Sequence, residues 1–173
     1  IFGKAMGNGH PIAAIIGRRN VMQAAQKTFV SSTYWTERVG PAAAIATIKK
    51  FKKMGVSRHL VDTGTRVQDG WRDISIAAGI DITVSGIPPL AHFRFNEENS
   101  TVLETLFTQE MLSRGYLASS QVYAMLAHDE KLVGEYLATA GEVFSLLADA
   151  LKAGNATDRL IGPVRHTGFN RLN

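Results

Sequence analysis

The sequence predicts an α/β protein, and two observations carry that prediction. The first is "HPIAAIIG" (residues 10–17), a short apolar run bounded by proline and glycine, with helical patterns after it. The second is the order strand, strand, helix, strand, helix beyond residue 80, which describes a compact α+β or split α/β module. Two regions are therefore expected, 1–79 and 80–173, with a helix bridging them.

The elements follow in chain order. Residues 10–17 have the look of a buried strand, and "RRNVMQAAQKT" follows as a short helix with Asn20 as its N-cap. Pro41 opens an alanine-rich helix over 41–54, because a proline in the first turn forfeits no intrahelical bond, and Gly55 stops it. Val67, Trp71, Ile74 and Ala78 recur at near-helical spacing up to Gly79, although Gly64 and Gly70 argue against one unbroken helix. Ile82 with Val84, and Phe93 with Phe95, alternate as two strands around a Gly-Ile-Pro-Pro turn. Thr101 and Glu104 offer a capping box for a helix that Gly115 ends. "YLASSQVYAMLA" is short strand material. Leu132, Tyr136, Val143, Leu147 and Leu151 then mark a long amphipathic helix. The tail from Asn155 has no strong period.

Bulk properties exclude several classes. The 173 residues contain no cysteine, so disulfides and thiolate metal sites are ruled out, and this fits a cytosolic, cytoplasmic protein. No apolar run approaches the roughly 18 residues of a membrane span, so no membrane is expected as partner. Lysine and arginine (19) exceed aspartate and glutamate (15). The densest basic run, "KKFKK", sits on the polar side of a helix near its C-terminal end, where the macrodipole favours cations, so no nucleic acid is expected either. The five histidines are scattered without metal-ligand spacing, and no metal is expected.

Chemistry concentrates in two stretches. In "IFGKAMGNGH", Lys4 ends an apolar segment and precedes a glycine-containing loop, the place where α/β sheets put their ligands. A neutral lysine amine there can attack a carbonyl. On spacing alone, a surface lysine whose glycines serve turns is the better fit. In "STYWTERVGP", hydroxyls at Ser31, Ser32, Thr33 and Thr36 precede a helix start, an arrangement suited to an anion through side chains and free N–H groups.

"FGKAMGNGHPIAAIIGRRNVM" resembles the lysine segment of the class III (fold-type I) pyridoxal-phosphate aminotransferases, close to the glutamate-1-semialdehyde 2,1-aminomutase branch. Thr36 stands five residues before Pro41 and "PAAAIATI" follows, as in that family's phosphate-binding segment, though Arg38, Val39 and Gly40 replace the usual Ser-Gly-Asn. "EMLSRGYLASSQVYAMLAHDEKLVGEYLATAGEVFSLLADAL" is similar to the family's small C-terminal domain, so the resemblance covers about residues 1–153. The resemblance implies a pyridoxal 5'-phosphate cofactor, Lys4 as the Schiff-base and proton-carrying residue, and Thr36 as a cofactor-phosphate ligand acting across a homodimer. It also implies amino-group transfer on a small amino or keto substrate. In the family, the aspartate at the pyridine nitrogen, the first phosphate loop and the ring-stacking aromatic precede the lysine. Together with a first residue, Ile1, inside an apolar pattern, this leads us to expect the C-terminal part of an enzyme: the end of the large cofactor domain plus the small domain. Arg38 and Arg165 have the chemistry of carboxylate partners, but a structural or surface role is the better reading of each and neither is taken as a site residue. The alternative function is a non-catalytic dimerisation or interaction module.

Overall fold

The computed structural model describes residues 1–168. The chain divides into two compact units, Ile1–Ser57 and a second that begins at Arg58.

In the first unit, a 3-10 turn at Lys4–Met6 is followed by α1 (Arg19–Met22), a second 3-10 turn at Gln23–Lys27, and α2 (Val39–Lys53). The run expected as a buried strand is not one. Phe2 and Ala14 form a single antiparallel bridge, and Ile15 and Ile16 stand more than half exposed. A strand draws its stability from paired neighbours and a covered face. Among the described residues this segment has one bridge and little cover. Asn20 does not cap α1 either: the cap is Arg18, and the Asn20 side chain accepts from the adjacent Val21 N–H at 3.0 Å. Pro41 lies in the first turn of α2, as its missing N–H favours.

The second unit contains most of α3 (Val56–Ala78), then β1 (Ile82–Ser85), β2 (Leu90–Phe95), α4 (Ser100–Ser113), β3 (Gln121–Tyr123) and α5 (Glu130–Lys152). The strands form one antiparallel sheet in the order β1-β2-β3, with Ile82 opposite Phe95 and Leu90 opposite Tyr123. Strand β2 alternates strictly. Ala91, Phe93 and Phe95 are buried, while Leu90, His92 and Arg94 face outward. Phe93 is the centre of the core: Trp71 of α3, Phe107 of α4 and Phe144 of α5 approach its ring at 4.8, 5.3 and 5.6 Å. The edge-on contacts with Trp71 and Phe107 each add about 0.5–1.5 kcal/mol beyond the area buried.

Helix α3 is unbroken despite its glycines, because both sit where a neighbour comes too close for a side chain. A Cβ on Gly64 would overlap the Pro88 backbone, and one on Gly70 would fall 2.6 Å from the Leu137 methyls. The buried stripe of α5 is Val133, Tyr136, Ala140, Val143, Phe144 and Leu147. Leu132, expected on that stripe, is 41% exposed. Asp129 caps α5, accepting from Leu132 N–H at 2.8 Å. The expected capping box on α4 does not form. Its N-cap is Asn99, and Glu104 is instead buried with its carboxylate 2.7 Å from the Arg165 guanidinium. No helix among the described residues is long and apolar enough to cross a membrane.

Candidate active site

The Lys4 turn is built by its flanks. Phe2 and Ala14 exchange two backbone hydrogen bonds of 2.8 and 2.7 Å, which pin the two arms of the loop between them. Gly3 is extended, and Lys4 then adopts a φ of 49°, the left-handed region that side chains avoid at a cost of about 1–2 kcal/mol. The turn closes through Met6 N–H to the Gly3 carbonyl (3.1 Å) and Gly7 N–H to the Lys4 carbonyl (3.2 Å). Gly7 is buried, and a Cβ there would collide with the His10 carbonyl and approach Ile12 Cγ2 to 2.8 Å. The tight return at residues 7–10 therefore requires glycine, and it leaves Lys4 exposed on the turn. Backbone strain held by surrounding hydrogen bonds is found disproportionately at functional positions.

Thr36 lies in the turn that leads into α2. Trp35 N–H donates to the Ser32 carbonyl (3.3 Å), and Glu37 N–H to the Tyr34 carbonyl (3.2 Å). The helix start itself is closed by its own chain. One Glu37 carboxylate oxygen accepts from Val39 N–H at 2.8 Å and the other from Gly40 N–H at 3.1 Å. Pro41 has no N–H, and Ala42 N–H donates to the Arg38 carbonyl at 3.1 Å. The free N–H groups expected at this helix start are thus already occupied, a fact the expectation from residue types did not include. The exposed Thr36 hydroxyl and its N–H make no hydrogen bond among the described residues, and they are the donors left for an anion.

Lys4 lies on a turn that contacts α2, and Thr36 lies in the turn that leads into α2. Helix α2 packs on the Lys4 turn. Gly40, buried at the start of α2, lies so close to Pro11 and Ile12 that a Cβ would sit 3.0 Å from the Pro11 oxygen. Lys4 and Thr36 make no hydrogen bond to each other. Beside the Lys4 turn runs an apolar groove of about 700 Å3, walled by Phe2, Met6, Ile16, Ile48 and Phe51. Of the two arginines raised as carboxylate partners, Arg165 is engaged in the second unit. Its guanidinium holds Glu104, and its N–H donates to the Thr105 hydroxyl at 3.1 Å.

Residue-type reasoning passed over two features here. The Glu37 cap leaves only a weak trace, a glutamate before a helix. The pair His59 and His128, which meet at Met125, leaves none, because the two are far apart in the chain.

No family model matches the chain. It is similar to curated proteins, however. It is 26% identical over 145 residues to a 2'-deamino-2'-hydroxyneamine transaminase of Streptomyces kanamyceticus, covering 81% of the chain and 37% of that protein. It is 30% identical over 162 residues to a glutamate-1-semialdehyde 2,1-aminomutase of Caldivirga maquilingensis, covering 84% of the chain and 38% of that protein. A 3-aminobutyryl-CoA aminotransferase of Cloacimonas acidaminovorans is 29% identical over 109 residues, 62% of the chain and 26% of that protein. Among solved structures, the FumI protein of Sphingopyxis sp. MTA144, in its PLP internal aldimine form, superposes with a TM-score of 0.77 at 22% identity. That match covers 86% of the chain and 36% of FumI, and it establishes the fold. The chain thus spans well under half the length of the curated relatives it matches. Within that span, the chain is a homologue of the class III aminotransferases and glutamate-1-semialdehyde aminomutases, and its fold is that of part of a fold-type I enzyme.

Proposed function

We propose that this chain serves amino-group transfer with pyridoxal 5'-phosphate, with Lys4 as the nucleophile toward the cofactor aldehyde and Thr36 as a ligand of its phosphate. The carrying observation is the Lys4 turn itself: an exposed amine on a left-handed residue, on an element that packs against α2. The residues present fit the cofactor's two ends. An amine suits an aldehyde, and an unengaged hydroxyl with its N–H suits a phosphate. The apolar groove beside the turn suits a flat ring.

When bound, this cofactor withdraws electrons from the substrate's α-carbon. The remaining work falls to protein side chains. Lys4 Nζ would hold the cofactor through its aldehyde and, once freed, would serve as the base that carries the proton the transfer requires. The Thr36 hydroxyl would donate to the phosphate of the cofactor held by the partner's lysine. Assembly is read as a homodimer with Thr36 serving the partner's cofactor, and the location as cytoplasmic. The substrate class is a small amino or keto compound, since the relatives' names span a transaminase, an aminomutase and an aminotransferase.

The test is chemical. Pyridoxal phosphate followed by borohydride should leave a pyridoxyl label on Lys4, found by peptide mass spectrometry, and Lys4→Ala should abolish it. A label confined to another lysine and unchanged in Lys4→Ala would overturn the assignment. A second reading, a non-catalytic interaction module, draws on one observation: Phe29 (96% exposed) and Trp35 (67%) are bare apolar surface in the first unit. Dimerisation without any cofactor label would favour it.

A further inference from the structure

In the second unit, two histidines from different elements hold one loop residue. His59 of α3 places Nε2 3.1 Å from the Met125 carbonyl oxygen, so Nε2 carries the proton and donates. The Thr63 hydroxyl lies 3.4 Å from the same nitrogen. From the other side, Met125 N–H donates to His128 Nδ1 at 3.3 Å, so this nitrogen is unprotonated and accepts. The His128 backbone N–H closes the turn on the Met125 carbonyl at 3.0 Å. Met125 and His128 also wall a cavity of about 320 Å3, together with Val67, Tyr116, Val133 and Tyr136.

We propose that residues 124–128 form a histidine-latched lid over this tyrosine-lined cavity, released when His128 takes up a proton. Protonation puts a hydrogen on Nδ1. The acceptor for Met125 N–H is then lost, and two donors face each other. His59 behaves differently, because its Nε2–H donates in either charge state. The pair is therefore asymmetric: His128 senses pH, while His59 only holds. On the cleft side the groups facing the histidines are Asp62 and Arg66 of α3 with Asp129 and Glu130 at the start of α5. Arg66 lies 3.5 Å from the Glu130 carboxylate. Asp62 in turn lies 3.6 Å from the Arg58 guanidinium. On the cavity side the facing titratable groups are the phenols of Tyr116, Tyr123 and Tyr136. Histidine changes charge between about pH 5 and 8, which sets the range to examine.

The experiment is hydrogen exchange at the Met125 amide in the full chain, corrected for intrinsic exchange, at about pH 7.5 and about pH 5. Protection should fall roughly five- to tenfold at the lower pH, the loss of one hydrogen bond. His128→Gln, whose amide oxygen accepts at both pH values, should keep equal protection at both. His59→Ala should lower protection at both and leave the ratio unchanged. The chain has no cysteine, so Val133→Cys places a single thiol in the cavity wall. Its labelling rate relative to glutathione should rise at low pH, and should not rise in the His128→Gln background. Protection or labelling that ignores pH, or a pH response that survives His128→Gln, overturns the lid.

Discussion

Trp71 of α3 donates its indole N–H to the Tyr136 hydroxyl of α5 across 3.0 Å, a hydrogen bond wholly inside the core of the second unit. Burial pushes the Tyr136 phenol well above its ordinary range, and the indole bond only partly opposes this. Tyr136→Phe leaves the buried indole N–H unpaired, at an expected cost of about 1–3 kcal/mol. Urea denaturation near neutral pH measures it. The pH dependence follows by linkage. A group whose folded pKa is raised contributes stability that is intact below the unfolded pKa and lost as pH rises toward the folded one. Stability should therefore decline from about pH 10 upward, and that part of the decline should be missing in Tyr136→Phe. An identical alkaline profile in the two proteins would refute the link.

Arg165 lies in the stretch after α5 and ties it to α4 through Glu104. Gln109 adds two bonds to the same stretch, to the Arg159 carbonyl at 3.0 Å and from Ile161 N–H at 2.8 Å. Because the Glu104 side chain is 10% exposed, removing Arg165 leaves a nearly buried carboxylate unpaired. The half-exposed guanidinium is screened by water, so Arg165→Ala should cost about 1–2 kcal/mol rather than the full buried-pair value. Arg58→Ala, which breaks a pair open to solvent, should change stability by less than about 0.5 kcal/mol. Parallel thermal melts compare the two, and equal effects would contradict the burial argument.

Gly64 gives a test of opposite signs. Mid-helix, Gly→Ala ordinarily stabilises by about 1 kcal/mol. Here the new methyl would meet the Pro88 backbone, which cannot swing aside as a side chain would. Gly64→Ala should destabilise by about 1–3 kcal/mol through overpacking. A higher melting temperature would contradict the close approach of α3 to the β1–β2 turn.

Lys4 sets stability against chemistry. At a φ of 49°, glycine is the unstrained residue. Lys4→Gly should raise stability of the turn by about 1 kcal/mol, while Lys4→Ala should not. Both should abolish borohydride-trapped cofactor. Limited proteolysis of the first unit, scored with the labelling, separates the two effects. A Lys4→Gly protein that is cut faster would remove the strain argument.

Much of this molecule was legible from residue order. Helix ends at Gly55 and Gly79, the alternation of Phe93 and Phe95, and the spacing of Tyr136, Val143 and Leu147 are local properties, because periodicity and turn chemistry act between near neighbours. The position of Lys4 in its glycine loop, and the five-residue step from Thr36 to Pro41, were likewise visible in the chain. Tertiary structure decided the rest. Glu104 looked like half of a capping box until a partner remote in the chain, Arg165, took its carboxylate. Gly64 and Gly70 looked like helix breakers until Pro88 and Leu137 came to lie against them. The apolar run at residues 10–17 looked like a buried strand, yet one bridge is all it forms among the described residues. Burial, pairing partners and close approaches depend on groups distant in sequence, and only folding brings those groups together.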